Sequence, residues 1–126
     1  MTGGSSRTVL VVDDEQAIRL LCRVNLELDG YVVLEAGTLD EARAHLDRID
    51  VDVVLLDVHL GGETSRPLID ELAERRPRIP VAVVTGSADL SVAERSGADA
   101  VLPKPFAIEE LSHLVDELAA RTGPAR

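Results

Sequence analysis

Five side chains of this sequence could act together on a phosphoryl group: the carboxylates of Asp13, Asp14 and Asp57, the hydroxyl of Thr85 and the ammonium of Lys104. A carboxylate can attack as the nucleophile, a lysine can neutralise charge on the equatorial oxygens, and a hydroxyl can hydrogen-bond one of them. Three carboxylates gathered in one place would repel one another, and burying them unneutralised costs several kcal/mol per charge. Lys104 offers one positive charge. A divalent ion bound by hard oxygen ligands is the natural second, and Mg²⁺ suits a few carboxylates plus water and a phosphoryl oxygen.

The five can meet only if the fold gathers positions that span more than 90 residues of sequence. Val53-Val54-Leu55-Leu56 is β-branched or large and apolar without alternation, the pattern of a strand covered on both faces. The run stops at Asp57, which places its carboxylate at the carboxyl end of a central strand, where open α/β sheets hold their ligands. A helix N-cap or turn role for Asp57 is disfavoured because the next helix signal starts several residues later, around Ser65 or Pro67. Thr8 to Val12 is a first strand ending in Asp13, Asp14 and Glu15. Tyr31 to Ala36 is a second strand, Val81 to Val84 a fourth ending in Thr85, and Ala100 to Leu102 a fifth followed by Lys104.

Helical periodicity fills the gaps between these strands. Ala17, Leu20, Leu21, Val24 and Leu28 recur at helical spacing as far as Gly30. Thr38 with Glu41 forms a capping box ahead of a stripe of Ala42, Leu46 and Ile49. Leu68, Ile69, Leu72 and Ala73 predict a third helix, closed by Arg75, Arg76 and Pro77; Leu90 to Arg95 is a short fourth, stopped at Gly97. Ile108, Leu111, Leu114, Val115 and Leu118 predict the last. Alternating strands and helices imply right-handed crossovers and hence an α/β fold, a doubly wound parallel sheet of five strands with five helices. All carboxyl ends then share one edge, so the five polar residues converge on one crevice.

Composition sets the outer bounds. At 126 residues the chain is one domain, read as a leader over 1–7, a folded body over 8–120 and a tail over 121–126. Aromatics make up only 2%, so the core must be built from Val, Leu, Ile and Ala. A formal net charge of −10 argues against nucleic acid or an anionic membrane as a direct partner. Cys22 alone cannot make an internal disulfide and reads as a small core residue in a reducing compartment. With no signal-peptide pattern and no long apolar run, the expected location is cytoplasmic.

Val11-Val12-Asp13-Asp14-Glu15, Leu55-Leu56-Asp57, Val84-Thr85-Gly86, Gly97-Ala98-Asp99 and Leu102-Pro103-Lys104-Pro105-Phe106 follow one another in an order that resembles the receiver domains of two-component response regulators, from Thr8 to about Leu118. The resemblance implies a flavodoxin-like sheet of order 2-1-3-4-5 and Asp57 as phospho-acceptor, supplied by a sensor histidine kinase or phosphotransfer protein. It implies Mg²⁺ held by Asp13, Asp14, Asp57 and the backbone carbonyl of His59. Thr85 and Lys104 would contact the phosphoryl group, Gly86 would leave the site open, and the Lys104-Pro105 bond would be cis. A downstream protein target or output domain would read the switch, and a homodimer stays open. Such a domain assists its own phosphorylation and dephosphorylation and is not a turnover enzyme.

Departures from the family pattern fall around the site. The family's usual Met-Pro pair and later glycine are here Leu60-Gly61 and Ser65, so the pattern does not fix the path of residues 58–66. The residues flanking the water path, two after Asp57 and two after Thr85, are His59 and Ser87. The usual switch aromatic on the fifth strand is Val101, whose β-branched side chain has no ring to swing. The stretch between Thr85 and Gly97 is about three residues short for the family, nearly one helical turn. These departures predict a switch triggered by Thr85 that changes the order of the short fourth helix. Two rivals stand beside this reading. A haloacid-dehalogenase-type phosphatase would carry a second acid where His59 stands and a cap domain for which there is no room. An unphosphorylated pseudo-receiver acting as a binding module would need no intact acid pair and lysine. His45 and His113 have no partners at ligand spacing and are assigned nothing.

Overall fold

The computed structural model describes residues 6–60, 62–86 and 89–121. In chain order its elements are β1 (Thr8–Val12), α1 (Gln16–Leu28), β2 (Val32–Ala36), α2 (Leu39–Arg48), β3 (Val53–Asp57), β4 (His59–Leu60), β5 (Glu63–Thr64), α3 (Arg66–Glu74), β6 (Val81–Thr85), α4 (Leu90–Glu94), β7 (Ala100–Pro103) and α5 (Ile108–Ala120). Five strands form one parallel sheet of order β2-β1-β3-β6-β7. This is the predicted 2-1-3-4-5 arrangement once the small β4-β5 hairpin is set aside. That hairpin is the part sequence patterning missed. It pairs His59 with Thr64 and Leu60 with Glu63, and it supplies the path of the loop after Asp57.

Alternation along the strands divides the core between two faces. Val53 and Leu55 of β3 pack with Val9, Val11, Cys22, Leu26, Leu111 and Val115, under α1 and α5. Val54 and Leu56 pack with Leu10, Val12, Leu46, Leu68, Leu72 and Ala93, under α2, α3 and α4. A strand covered on both sides needs apolar residues at every position, hence the unbroken Val-Val-Leu-Leu run.

Helix α1 corrects the sequence reading. The expected stripe of Leu20, Leu21, Val24 and Leu28 lies outward, with Leu28 80% exposed, while the helix buries Cys22 and Leu26 with Ile18 partly covered. Two apolar stripes at helical spacing coexist on this helix, and periodicity alone cannot choose between them. Polar contacts fix its rotation: Arg19 and Arg23 both donate to the Glu35 carboxylate on β2. Ile49 of the predicted α2 stripe is likewise exposed and lies beyond the helix end, leaving Leu39, Ala42 and Leu46 as the buried set. The Thr38 hydroxyl caps α2 by accepting from the Glu41 amide, but Glu41 itself accepts from Gly37 rather than closing the box on Thr38. Among the described residues, no helix is long and apolar enough to cross a membrane.

Candidate functional site

Each predicted residue stands where its strand ends. Asp13 follows β1, Asp57 closes β3, Thr85 closes β6 and Lys104 follows β7. The register ties these ends together: Asp57 lies beside Val84, and Thr85 beside Pro103. The Lys104 amide donates to the Thr85 carbonyl at 2.7 Å, which locks the start of the β7–α5 loop against β6. The Lys104-Pro105 peptide is cis, as the resemblance implied, and Arg76-Pro77 is cis as well.

Lys104 Nζ lies 3.2 Å from Asp13 Oδ2, 3.6 Å from Glu15 Oε1 and 3.7 Å from Asp57 Oδ2. Asp13 is almost wholly buried, Asp57 is half-buried and Asp14 is exposed. Carboxylate oxygens of all three lie within 4.8 Å of one another. One lysine does not neutralise three such acids. Hard oxygen donors at this separation fit a single small divalent cation, which keeps some of its own water.

The electrostatics follow from that imbalance. Burial raises the Asp57 carboxyl above the ordinary aspartate range; Asp13 and Asp14 push the same way, against Lys104 and the His59 amide. Burial alone would lower the Lys104 ammonium. The negative charges of Asp13, Asp57 and Glu15 outweigh it, so the group is held above its usual range and is charged at neutral pH.

Supporting contacts include residues that sequence reasoning assigned no role. Asp13 Oδ1 accepts from the Glu15 amide at 2.9 Å, and the Asp13 carbonyl accepts from Arg19 at 2.6 Å. Arg19 thus braces the β1–α1 turn against Glu35; no spacing signal marks it, because its partners are a backbone carbonyl and a residue on β2. Ser65, at the position of the family's glycine, is fully buried and its hydroxyl donates to the Asp57 carbonyl. His59 offers its amide to Asp57 Oδ1 at 3.3 Å, and its ring nitrogen Nε2 lies 3.4 Å from Asp89 Oδ1. Asp89 carries no sequence signal either.

Other positions are placed as follows. Thr85 is fully buried. Val101 is half-buried against the α4-side core, facing away from Leu102 across the sheet. A Cβ at Gly86 would meet nothing within 4 Å, so the space beside it is open and no close approach there demands glycine. Ser87 lies outside the described residues. His45 bonds the Glu35 carbonyl and His113 faces solvent beside Glu117, neither near the acids.

Comparisons with known proteins agree with this geometry. The phosphate regulon transcriptional regulatory protein PhoB of Pseudomonas aeruginosa is 36% identical over 127 residues, covering 94% of this chain and 54% of that protein. The sensor kinase CckA of Brucella abortus is 36% identical over 118 residues, covering 90% of this chain and 12% of its own length. A CheY-like response regulator receiver domain protein of Methanospirillum hungatei superposes with a TM-score of 0.82 at 27% identity, over 93% of this chain and 96% of that one. The chain therefore spans about half of one curated relative and a small part of the other. Residues 9–116 match the response regulator receiver domain, and the chain belongs to that family.

Proposed function

We propose that Asp57 takes a phosphoryl group from a phosphohistidine on a sensor kinase or phosphotransfer protein, and that a downstream protein or an output domain reads the change. The observation that carries this is the clustering of Asp13, Asp14 and Asp57 at one sheet edge, with Lys104 on Asp13 and Asp57. An Asp57 oxygen attacks phosphorus, the bond to the histidine nitrogen breaks, and its electron pair leaves with the imidazole. Lys104 meets the negative charge on the equatorial oxygens, and Thr85 supplies a hydroxyl to one of them.

Mg²⁺ is the ion this donor set fits, with Asp13, Asp14, Asp57 and the His59 carbonyl as its protein ligands. When bound it offsets the charge that an incoming phosphoryl dianion adds to three acids. The chain acts on its own aspartate and turns over no external substrate. The unit that does this runs over residues 8–120, and its work is done in the cytoplasm.

The departures shape the switch. Val101 has one stiff torsion and no ring, so Thr85 signals through the order of the five-residue α4 rather than through an aromatic rotation. An intact-mass measurement with acetyl phosphate tests the reading. The parent gains one phosphoryl group when Mg²⁺ is present; equal uptake after chelation would reject the proposal.

A further inference from the structure

His59, whose amide touches Asp57, faces Asp89. His59 Nε2 lies 3.4 Å from Asp89 Oδ1, with His59 on the β4-β5 hairpin after β3 and Asp89 at the N-cap of α4 after β6. The Asp89 amide donates to the carbonyl of Gly86, the residue after Thr85, at 3.1 Å. Both side chains are well solvated, and an exposed pair of this kind contributes about 0–1 kcal/mol. Stability is therefore no reason for it. Asp89 also adds an acid close to His59, next to a site that already holds Asp13, Asp14 and Asp57 with Glu15 and one lysine, which works against admitting a dianion.

Its use lies in what it does to the imidazole. In a neutral histidine one ring nitrogen donates and the other accepts, and the partner of the first decides the role of the second. A carboxylate facing Nε2 draws the proton there and leaves Nδ1 as the acceptor. Nδ1 is bonded to Cγ and so is the ring nitrogen nearer the backbone, whose amide touches Asp57 Oδ1.

We propose that Asp89 is a positioning residue for the hydrolysis that ends the phosphorylated state, holding the His59 ring so that Nδ1 accepts a hydrogen bond from the attacking water. The water oxygen forms the new bond to phosphorus as the bond from phosphorus to the Asp57 oxygen breaks. The products are the Asp57 carboxylate, inorganic phosphate and a proton released to solvent. An acceptor that orients water is a recurring part of phosphoryl hydrolysis. This inference rests on Asp57 being the phospho-acceptor.

The test loads the full chain with acetyl phosphate and Mg²⁺, removes the donor, and follows loss of the phosphoryl mass. Asp89→Asn should slow decay about tenfold, the size of effect typical of residues that orient a reacting group. Asp89→Glu should restore most of the rate, and Asp89→Asn placed on His59→Ala should change nothing further. Nitrogen-15 shifts of the His59 ring should show the proton on Nε2 in the parent and a mixture of forms in Asp89→Asn. Parent-like or faster decay in Asp89→Asn, or the same slowing with His59 absent, would overturn the proposal. A parent that never gains phosphoryl mass would reject the phospho-acceptor reading itself, before any variant is compared.

Discussion

Lys104 and Asp13 are 91 positions apart in sequence, yet Nζ donates to Asp13 Oδ2 at 3.2 Å, with the aspartate nearly free of solvent. The pair joins the two outer members of the site across the carboxyl edge of the sheet. Removing the lysine leaves a buried carboxylate without its cation. Lys104→Met should therefore cost about 3–5 kcal/mol, as for a buried charge stripped of its partner, when measured by denaturant unfolding in chelator. The ammonium is held above its usual range, so its contribution is complete below the ordinary lysine value, about 10.4, and is lost as pH rises through the higher folded value. The parent should lose stability in that alkaline window and Lys104→Met should not.

Asp57 works the other way. Burial holds its proton to higher pH than in the unfolded chain, so the folded state binds more protons between the two values. Stability then falls as pH rises through that window and stays lower above it. In chelator at neutral pH, Asp57→Asn should melt several degrees higher than the parent, with the gap closing towards pH 4. Adding Mg²⁺ should raise the parent's Tm more than the variant's. A variant that melts lower than the parent in chelator would contradict a burial cost at Asp57.

The rotation of α1 makes a paired prediction. Leu26 is fully buried and Leu28 is largely exposed, although both sit in one helix of similar composition. Leu26→Ala should cost about 2–5 kcal/mol and Leu28→Ala less than about 0.5 kcal/mol by urea unfolding. The reverse order would mean that α1 buries the stripe of Leu20, Leu21, Val24 and Leu28 instead.

Much of the site was legible in sequence because strand ends in a parallel sheet obey topology. Four of the five apolar runs lead into a polar residue, and that was enough to bring Asp13, Asp57, Thr85 and Lys104 to one edge. The structure puts Lys104 between Asp13 and Asp57 as that logic required. The illegible parts depend on contacts between elements. Which stripe α1 buries is decided by Arg19 and Arg23 on Glu35, and sequence spacing within the helix carries no record of β2. Asp89, at the start of α4, gains meaning only from His59 on the β4-β5 hairpin. The hairpin after Asp57 is two residues a side, too short for an alternating pattern to emerge.

Decay of the phosphorylated state should depend on His59 more than on Ser87. His59 touches Asp57 through its amide, and its ring offers an acceptor to water. His59→Ala should slow phosphoryl loss about tenfold, and Ser87→Ala should leave it within about twofold. Equal decay in His59→Ala and the parent would remove the role assigned to the ring.

The switch prediction concerns α4, five residues long with Ala93 as its buried anchor. A helix with so few apolar contacts rearranges at low cost. Amide exchange with and without beryllofluoride should change most between residues 86 and 97. Changes confined to α1 and α2 would place the output face elsewhere.

The central claim is that Asp57 carries the phosphoryl group. Borohydride reduces an acyl phosphate to the alcohol and thereby converts a phosphorylated aspartate to homoserine, leaving free carboxylates untouched. Peptide mass mapping after acetyl phosphate, Mg²⁺ and borohydride should find homoserine at position 57 and nowhere else, and none after chelation. Homoserine at 13 or 14, or an unchanged peptide around Asp57 in phosphorylated protein, would contradict the account.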